Sequence, residues 1–283
     1  MKKILFEEYK NIDDIINKKQ RIVLNFMNSH DLYLFKNNEV FRKSVIKDYN
    51  INSIDGFIIS LWLSIKNLRI IRRQTGPDFT INFFKKNKFS GEKMLFIGLE
   101  NKDLDILTRK FPNYNKRNLF AYNPPYIKDI KFSQKEISKI SKIIKDKKID
   151  IVWVGLGCPK QNILSDDLYK KTKAKYFLNV GAAIDFILEK KKRSPKFFRS
   201  LGLDWLYRLI TDFKHSRKKV LRSLLALKYL NLARVKNKLK SKNKEKKTTI
   251  IPFVKKYWRF VIAPIADVII IILRKLKFSS HNN

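Results

Sequence analysis

Between residues 21 and 183, short apolar runs alternate with longer stretches that repeat at helical spacing. The runs lie at 21–26 (RIVLNF), 93–98 (KMLFIG), 118–122, 149–154 and 176–180, and they are rich in β-branched and aromatic residues. Continuous apolar runs of that length predict strands buried on both faces, as in a parallel sheet. A shorter extended piece, 51–56 (INSIDG), joins them. The intervening stretches predict helices at 32–47, 57–68, about 77–88, 103–111, 133–145 and 161–173. In 133–145, Ser133 and Glu136 have capping-box spacing, and Ile137, Ile140, Ile143 and Ile144 recur at helical intervals. Strand–helix alternation with short links predicts an α/β fold: a Rossmann-like, doubly wound parallel sheet with flanking helices, filling residues 1–195.

The alternation stops at Arg193-Ser194-Pro195. Helical spacing resumes at 201–210 and in a basic amphipathic stretch at 217–232, which together predict a helical appendage over 196–235. Residues 236–249 are nearly devoid of apolar side chains and read as a solvated linker. The last segment, 250–283, contains FVIAPIADVIIIIL at 260–273, interrupted by Pro264 and Asp267. That is short of the about 20 apolar residues a membrane span requires. With Trp258, Arg259, Arg274, Lys275 and Lys277 around it, it reads as an amphipathic tail lying in a membrane interface. A C-terminal helix packed on the core is the alternative.

Charge sharpens this picture. The 283 residues carry 63 Lys and Arg against 25 Asp and Glu, a formal net charge of +38. Residues 190–247 hold 21 of the cations and three of the acids. Such an excess admits nucleic acid, anionic lipid or a phosphorylated substrate as partner. Because the most basic third precedes the most apolar stretch, a membrane surface fits better than nucleic acid. Trp153, Trp205 and Tyr207 lie in apolar patterns rather than among exposed cations, and no nucleic-acid motif occurs. The single cysteine, Cys158, excludes an intramolecular disulfide and reads as a small filler beside a turn. The N-terminal residues turn acidic after one short apolar patch, unlike a signal peptide. His30, His215 and His281 lack metal-ligand spacing. Asp103 and Asp105 form a D-x-D that falls inside a predicted helix, where it does not serve a metal.

Candidate chemistry gathers at predicted strand ends, where open α/β sheets bind ligands. The strand at 149–154 ends in GLGCPKQ, 155–161. Gly155 and Gly157 allow backbone N–H groups to approach a phosphate, and Pro159, Lys160 and Gln161 open the next helix at the rim of a plausible anion site. The same glycines equally suit plain tight packing. Asp55 sits at a strand-to-helix junction, placed either as a helix N-cap or as a base. Arg72 and Arg73 precede Gly76, Pro77 and Asp78, a helix start that also suits a pyrophosphate clamp. Asn28 follows the first strand, and Gly181 the last.

Taken in order, these patches resemble the WecG/TagA/CpsF glycosyltransferases, glycosyltransferase family 26. The likeness runs from about residue 21 to 217 and rests on four patches. They are Asp55-Gly56; Arg73, Gly76 and Asp78; the 155–161 loop; and a long block. That block comprises VGAAIDF at 180–186, KRSP at 192–195 and GLDWLYRL at 202–209. The resemblance implies an inverting transferase that needs neither metal nor cofactor. It would move a sugar (N-acetylmannosamine-type, its uronic acid, or glucose) from a UDP-sugar donor onto a polyprenyl-diphosphate-linked saccharide acceptor. Its place would be cytoplasmic, peripheral at the inner face of the bacterial plasma membrane, in synthesis of teichoic acid linkages, capsule or exopolysaccharide. Asp55 matches the family's catalytic base, and Arg73 the arginine that stabilises the leaving diphosphate. Asn28, Gly76, Asp78, Gly155, Gly157, Pro159, Lys160, Gln161, Gly181, Asp185 and Arg208 match substrate-binding positions.

Two departures stand out. The family's Thr-x-Asn becomes Phe26-Met27-Asn28, without the threonine, and its P-K-Q-E ends in Asn162. The missing threonine makes an inactive membrane-bound scaffold of the same fold the alternative; retention of Asp55, Arg73 and Gln161 together weighs against it. A homo-oligomer is also compatible with the sequence.

Overall fold

The computed structural model describes residues 3–8, 21–195, 198, 204–211 and 213–236. The predicted linker and tail, beyond Lys236, lie outside the described residues. The architecture is mixed α/β. Six strands form one sheet: β2 (Ile22–Met27), β3 (Asn50–Ile54), β4 (Met94–Ile97), β5 (Leu119–Tyr122), β6 (Ile151–Val154) and β7 (Tyr176–Asn179). Their order is β3-β2-β7-β6-β4-β5, and every neighbouring pair is parallel.

Parallel neighbours require crossovers, and helices supply them. In chain order these are α1 (Ser29–Asn37), α2 (Glu39–Val45), α3 (Phe57–Lys66), α4 (Gly76–Lys85), α5 (Asn101–Lys110), α6 (Gln134–Asp146), α7 (Lys160–Lys171) and α8 (Ala183–Ile187). The appendage adds α9 (Asp204–Thr211), α10 (Phe213–Leu225) and a 3-10 turn over Ala226–Leu232.

Both sheet faces are covered. On one, Phe79, Phe83 and Phe84 of α4 and Leu104 and Leu107 of α5 pack on Leu24, Phe96, Trp153 and Leu178. Trp153 is fully buried, edge-on to Phe83 at 4.8 Å and stacked near Phe84 at 5.3 Å. On the other, Ile137, Ile140 and Ile144 of α6 and Leu164 and Leu168 of α7 meet Val23, Leu95, Val152 and Phe177. A third cluster joins α1, α2 and α3 to Ala226, Leu232 and Ala233 of the appendage.

Three local features depart from the sequence reading. The helix expected over 32–47 is two helices, broken at Asn38, whose backbone is extended. Its side chain caps α2 by accepting from Phe41 N at 2.8 Å. Asn competes with the helix backbone in this way wherever two turns can be separated. The basic helix expected over 217–232 starts earlier, at Phe213, and ends at Leu225 in the 3-10 turn. Two three-residue strands were not anticipated: β1 (Ile4–Phe6) and β8 (Ala233–Val235) pair in parallel as a separate ribbon. Asp103 and Asp105 lie inside a helix, α5, as expected. Asp103 there accepts from Glu100 N at 2.9 Å and from Lys190 Nζ at 2.7 Å.

Candidate active site

The carboxyl ends of β2, β3, β7 and β6 converge. Asp55 N and Gly56 N both donate to Met27 O, at 2.9 and 3.2 Å, which brings the end of β3 against the end of β2. Gly56 approaches so closely that an added Cβ would stand 3.0 Å from Asn28 Cα. Gly56, not Asp55, is the N-cap of α3, and no side chain caps that helix. Asp55 is half-buried at the junction. Gly76, the first residue of α4, faces Val180 O at 3.3 Å from its hypothetical Cβ, and Gly155 faces Gly181 O at the same distance. A methyl group at either position would require the facing carbonyl to give by a few tenths of an ångström.

The 155–161 loop is held by one side chain. Gln161 Oε1 accepts from Gly157 N at 3.0 Å, and Gln161 Nε2 donates to Asn179 O at 3.4 Å. Gln161 is buried, and both polar ends of its amide are engaged with backbone. Gly157 has φ +76° and Gly181 φ +56°, left-handed conformations that glycine adopts without a Cβ penalty. The Cys158–Pro159 peptide is cis, and Pro159 occupies the N-cap position of α7. Lys160 turns outward: its ammonium donates to Ile127 O and lies 4.9 Å from the centre of the Tyr126 ring.

A second group lies on the loop before α4. Gln74 N donates to Ile54 O at 2.7 Å, which ties this loop to the end of β3. Thr75 caps α4, accepting from Asp78 N at 3.2 Å, while its hydroxyl donates to Asp78 Oδ2 at 2.6 Å. Arg193 Nη2 reaches Asp78 Oδ1 at 2.7 Å. Arg73 Nη2 reaches Asp204 Oδ2 at 3.2 Å, and Ser194 donates to the other oxygen of that carboxylate. The loop is therefore clasped by two ion pairs, one to Arg193 just before the appendage and one to Asp204 within it. Asp185 instead pairs with Lys191 at 2.7 Å. Arg208 belongs to α9, and its side chain lies outside the described residues.

Asn28 is a capping residue here. Its Oδ1 accepts from His30 N at 2.9 Å, and Asp31 Oδ2 accepts from Asn28 N at 2.8 Å. Close behind it, His30 and Asp31 are buried titratable groups. Burial, with Lys219 and Arg222 nearby, lowers His30 to about 4. Burial raises Asp31 to about 6 against the pull of Cys158, the Asn28 N–H and Lys219. Burial and the Asp31 carboxylate in turn push the Cys158 thiol well above its ordinary value.

Sequence reasoning missed a polar row inside the sheet. Asn25 Nδ2 donates to Asn50 Oδ1 and Asn52 Oδ1, both at 3.0 Å. Asn25 Oδ1 accepts from Asn162 at 2.8 Å and from Asn179 at 2.7 Å. Ser165 completes the row at 2.6 Å from Asn179 Oδ1. All six residues are buried. Asn162, which stands where the resembled family carries an acid, thus points into the sheet. A signal was present: Asn25 and Asn179 interrupt otherwise apolar strands, and Asn50 and Asn52 share one parity. Among the described residues, no group of three or more His, Cys, Asp and Glu could hold a metal ion.

A protein from Staphylococcus aureus (strain NCTC 8325 / PS 47), N-acetylglucosaminyldiphosphoundecaprenol N-acetyl-beta-D-mannosaminyltransferase, is 29% identical over 153 residues, covering 53% of this chain and 55% of that protein. The protein of the same description from strain MRSA252 is 31% identical over 134 residues, covering 47% and 48%. The chain spans about half the length of the curated relatives it matches. The model of the Glycosyl transferase WecG/TagA/CpsF family matches residues 5–243. That match takes in every strand of the six-stranded sheet, the clasped loop before α4 and the appendage, and the chain belongs to this family.

Proposed function

We propose that this protein is a glycosyltransferase that moves a sugar from a UDP-sugar to a lipid-linked saccharide, with inversion and without a metal. The observation that carries the reading is the junction at Asp55. A carboxylate stands at the carboxyl end of β3, beside the end of β2, on a chain whose family match includes it. The names of the similar Staphylococcus aureus proteins make N-acetylglucosaminyl-diphosphoundecaprenol the first acceptor to try and N-acetylmannosamine the first sugar. Its uronic acid and glucose follow. The product would be a building unit of a cell-surface polymer.

In this mechanism Asp55 accepts the proton of the acceptor hydroxyl as that oxygen attacks the anomeric carbon. The bond from that carbon to the donor diphosphate breaks, and UDP leaves. Arg73 offsets the charge that grows on the diphosphate, a task for which guanidinium geometry is suited. Gly157 and Gly181 leave room for the donor at the strand ends, and Gly155 lets those ends close on each other. Gln161 acts as a positioning residue by holding Gly157 and Asn179. Asn28, Gly76 and Asp78 hold the loops that frame the crevice. Lys160, Asp185 and Arg208 stay assigned to substrate contact through the family likeness.

The test is a transfer assay with purified protein in anionic vesicles, a panel of UDP-sugars, and a short polyprenyl-diphosphate saccharide as acceptor. Expected are acceptor-dependent UDP release with one donor and no loss of rate on adding a chelator. Asp55→Asn should keep its fold and lose about 10²–10⁴ of the rate. Undiminished transfer by Asp55→Asn would remove the base assignment, and silence with every donor would remove the transfer reading.

A further inference from the structure

Helix α3 carries more apolar surface than it buries. Seven of its ten residues are apolar, yet only Ile59 and Leu63 are buried. These two face the third cluster together with Ile71. The Ser60 and Ser64 hydroxyls both donate to Ile71 O, which fixes the rotation of the helix. Ile58, Leu61 and Ile65, spaced i, i+3 and i+7, form a second apolar stripe in which Ile58 and Leu61 are half-buried and Ile65 is 41% exposed. The stripe continues past the helix into Leu68, 79% exposed, and Ile70, 44% exposed. Leu5 of β1 is 50% exposed, and β8 packs on α3.

Cations ring this patch. Lys66 ends α3, and Arg234 is the cross-strand partner of Leu5. Lys3 is lowered from its ordinary value by desolvation and then by repulsion from Arg234 and Lys66, so the three share one neighbourhood. Among the described residues, the acids at this edge are engaged: Glu8 with Arg69, and Glu7 with Lys236 at 3.1 Å.

We infer that this face, the outer stripe of α3 with Leu68, Ile70 and Leu5 ringed by Lys3, Lys66 and Arg234, inserts into the surface of an anionic bilayer. An apolar stripe edged by unneutralised cations matches one occupant in both respects: hydrocarbon with anionic headgroups above it. The chain's own apolar stretch at 260–273 offers hydrocarbon but is flanked by Arg259, Arg274 and Lys275, which would set cations against cations. A second copy would repeat the same three cations. The surface also continues into the candidate site, because the stripe begins three residues after Asp55. A bilayer on this face would hold Asp55 at its edge. The inference goes beyond the transfer reading and does not depend on it, since its test uses no substrate.

The test labels the full chain, with Cys158 replaced by Ser, with an environment-sensitive nitrobenzoxadiazole dye at Leu68→Cys, at Ile65→Cys, or at Lys142→Cys on α6. Vesicles of pure phosphatidylcholine or with added phosphatidylglycerol are titrated in. The inference expects a blue shift and a rise in emission at 65 and 68 with anionic vesicles, none at 142, and little with neutral vesicles. Unchanged emission at 65 and 68 while the protein floats with the vesicles would overturn it, as would absence of vesicle binding. Blue emission before vesicles are added would give the face to the tail, and emission that shifts with protein concentration would give it to a second copy; either result overturns the bilayer. A label-free check uses Ile65→Glu with Leu68→Glu in the otherwise native chain. Flotation with anionic vesicles should fall at least several-fold with the circular dichroism spectrum unchanged; undiminished flotation overturns the inference.

Discussion

Arg73 Nη2 lies 3.2 Å from Asp204 Oδ2, joining the loop before α4 to the first turn of α9 across 131 residues of sequence. The two side chains are 22% and 30% exposed. A pair this open contributes at most about 1 kcal/mol to stability. Its consequence is positional: the guanidinium proposed to face the donor diphosphate is held by the appendage. Asp204→Asn should leave thermal unfolding within a few degrees of the parent. It should speed amide exchange in 204–211 several-fold and raise the donor KM. Unchanged exchange there would show that the appendage is held by other contacts.

Gln161 is the second test. Gln161→Glu keeps an acceptor for Gly157 N but sets a carboxylate oxygen against Asn179 O. The lost hydrogen bond and the buried charge should cost about 2 kcal/mol or more at neutral pH. Protonation of the new carboxyl restores a donor, so denaturant titrations should show the loss shrinking toward pH 5. A loss that does not vary with pH would mean that the side chain had left the pocket.

Asn25 ties four side chains, so Asn25→Ala should be among the most damaging single changes in the sheet. It leaves Asn50, Asn52, Asn162 and Asn179 without the partner they share. A loss of about 3–5 kcal/mol is expected, because buried polar groups stripped of partners keep their desolvation penalty. Equilibrium unfolding in urea measures it. A loss under 1 kcal/mol would mean that water or a rearranged row replaces the missing amide.

His30 and Asp31 predict opposing responses to pH. His30 falls from 6.5 to about 4 in the folded state, so folding releases a proton between those values and stability rises with pH there. Asp31 rises from 3.8 to about 6, so folding takes up a proton and stability falls over nearly the same window. The two slopes largely cancel in the native protein. Asp31→Asn should expose the His30 slope, a gain on the order of 3 kcal/mol between about pH 4 and 6.5. A flat profile for that variant would remove His30 as a buried neutral group.

The strand–helix alternation was legible because strands buried on both faces are written as unbroken apolar runs. Val152, Trp153 and Val154 are an example. What escaped notice lacked such a period. Ile4–Phe6 and Ala233–Val235 are three residues each, too short to alternate, and their pairing spans the whole chain. The break at Asn38 depended on a cap that competes with helix at a site where either is allowed. At the candidate site, the tight-packing reading of the Gly155 turn matches its close approach to Gly181, while the similar approaches at Gly56 and Gly76 were not read. The direction of Gln161, Asn162 and Lys160 was not legible. Three successive polar residues at a helix start take different directions, and the neighbours that decide between them come from β2, β7 and the loop at Ile127.

The asparagine row also acts on the alignment of the strands. Asn52, Asn25 and Asn179 occupy the same level of β3, β2 and β7, as partners in register. Apolar side chains alone would tolerate a slip, since Ile, Leu and Phe fill both faces of these strands. A one-residue shift of β3 would turn Asn50 and Asn52 to the opposite face, among Phe79 and Phe83, and leave Asn25 donating to nothing. Each misaligned sheet therefore carries several stranded amides that the correct one does not. The row works as a ruler laid across the strands, and the level it enforces is what brings Asn28, Asp55 and Gly181 to a common edge.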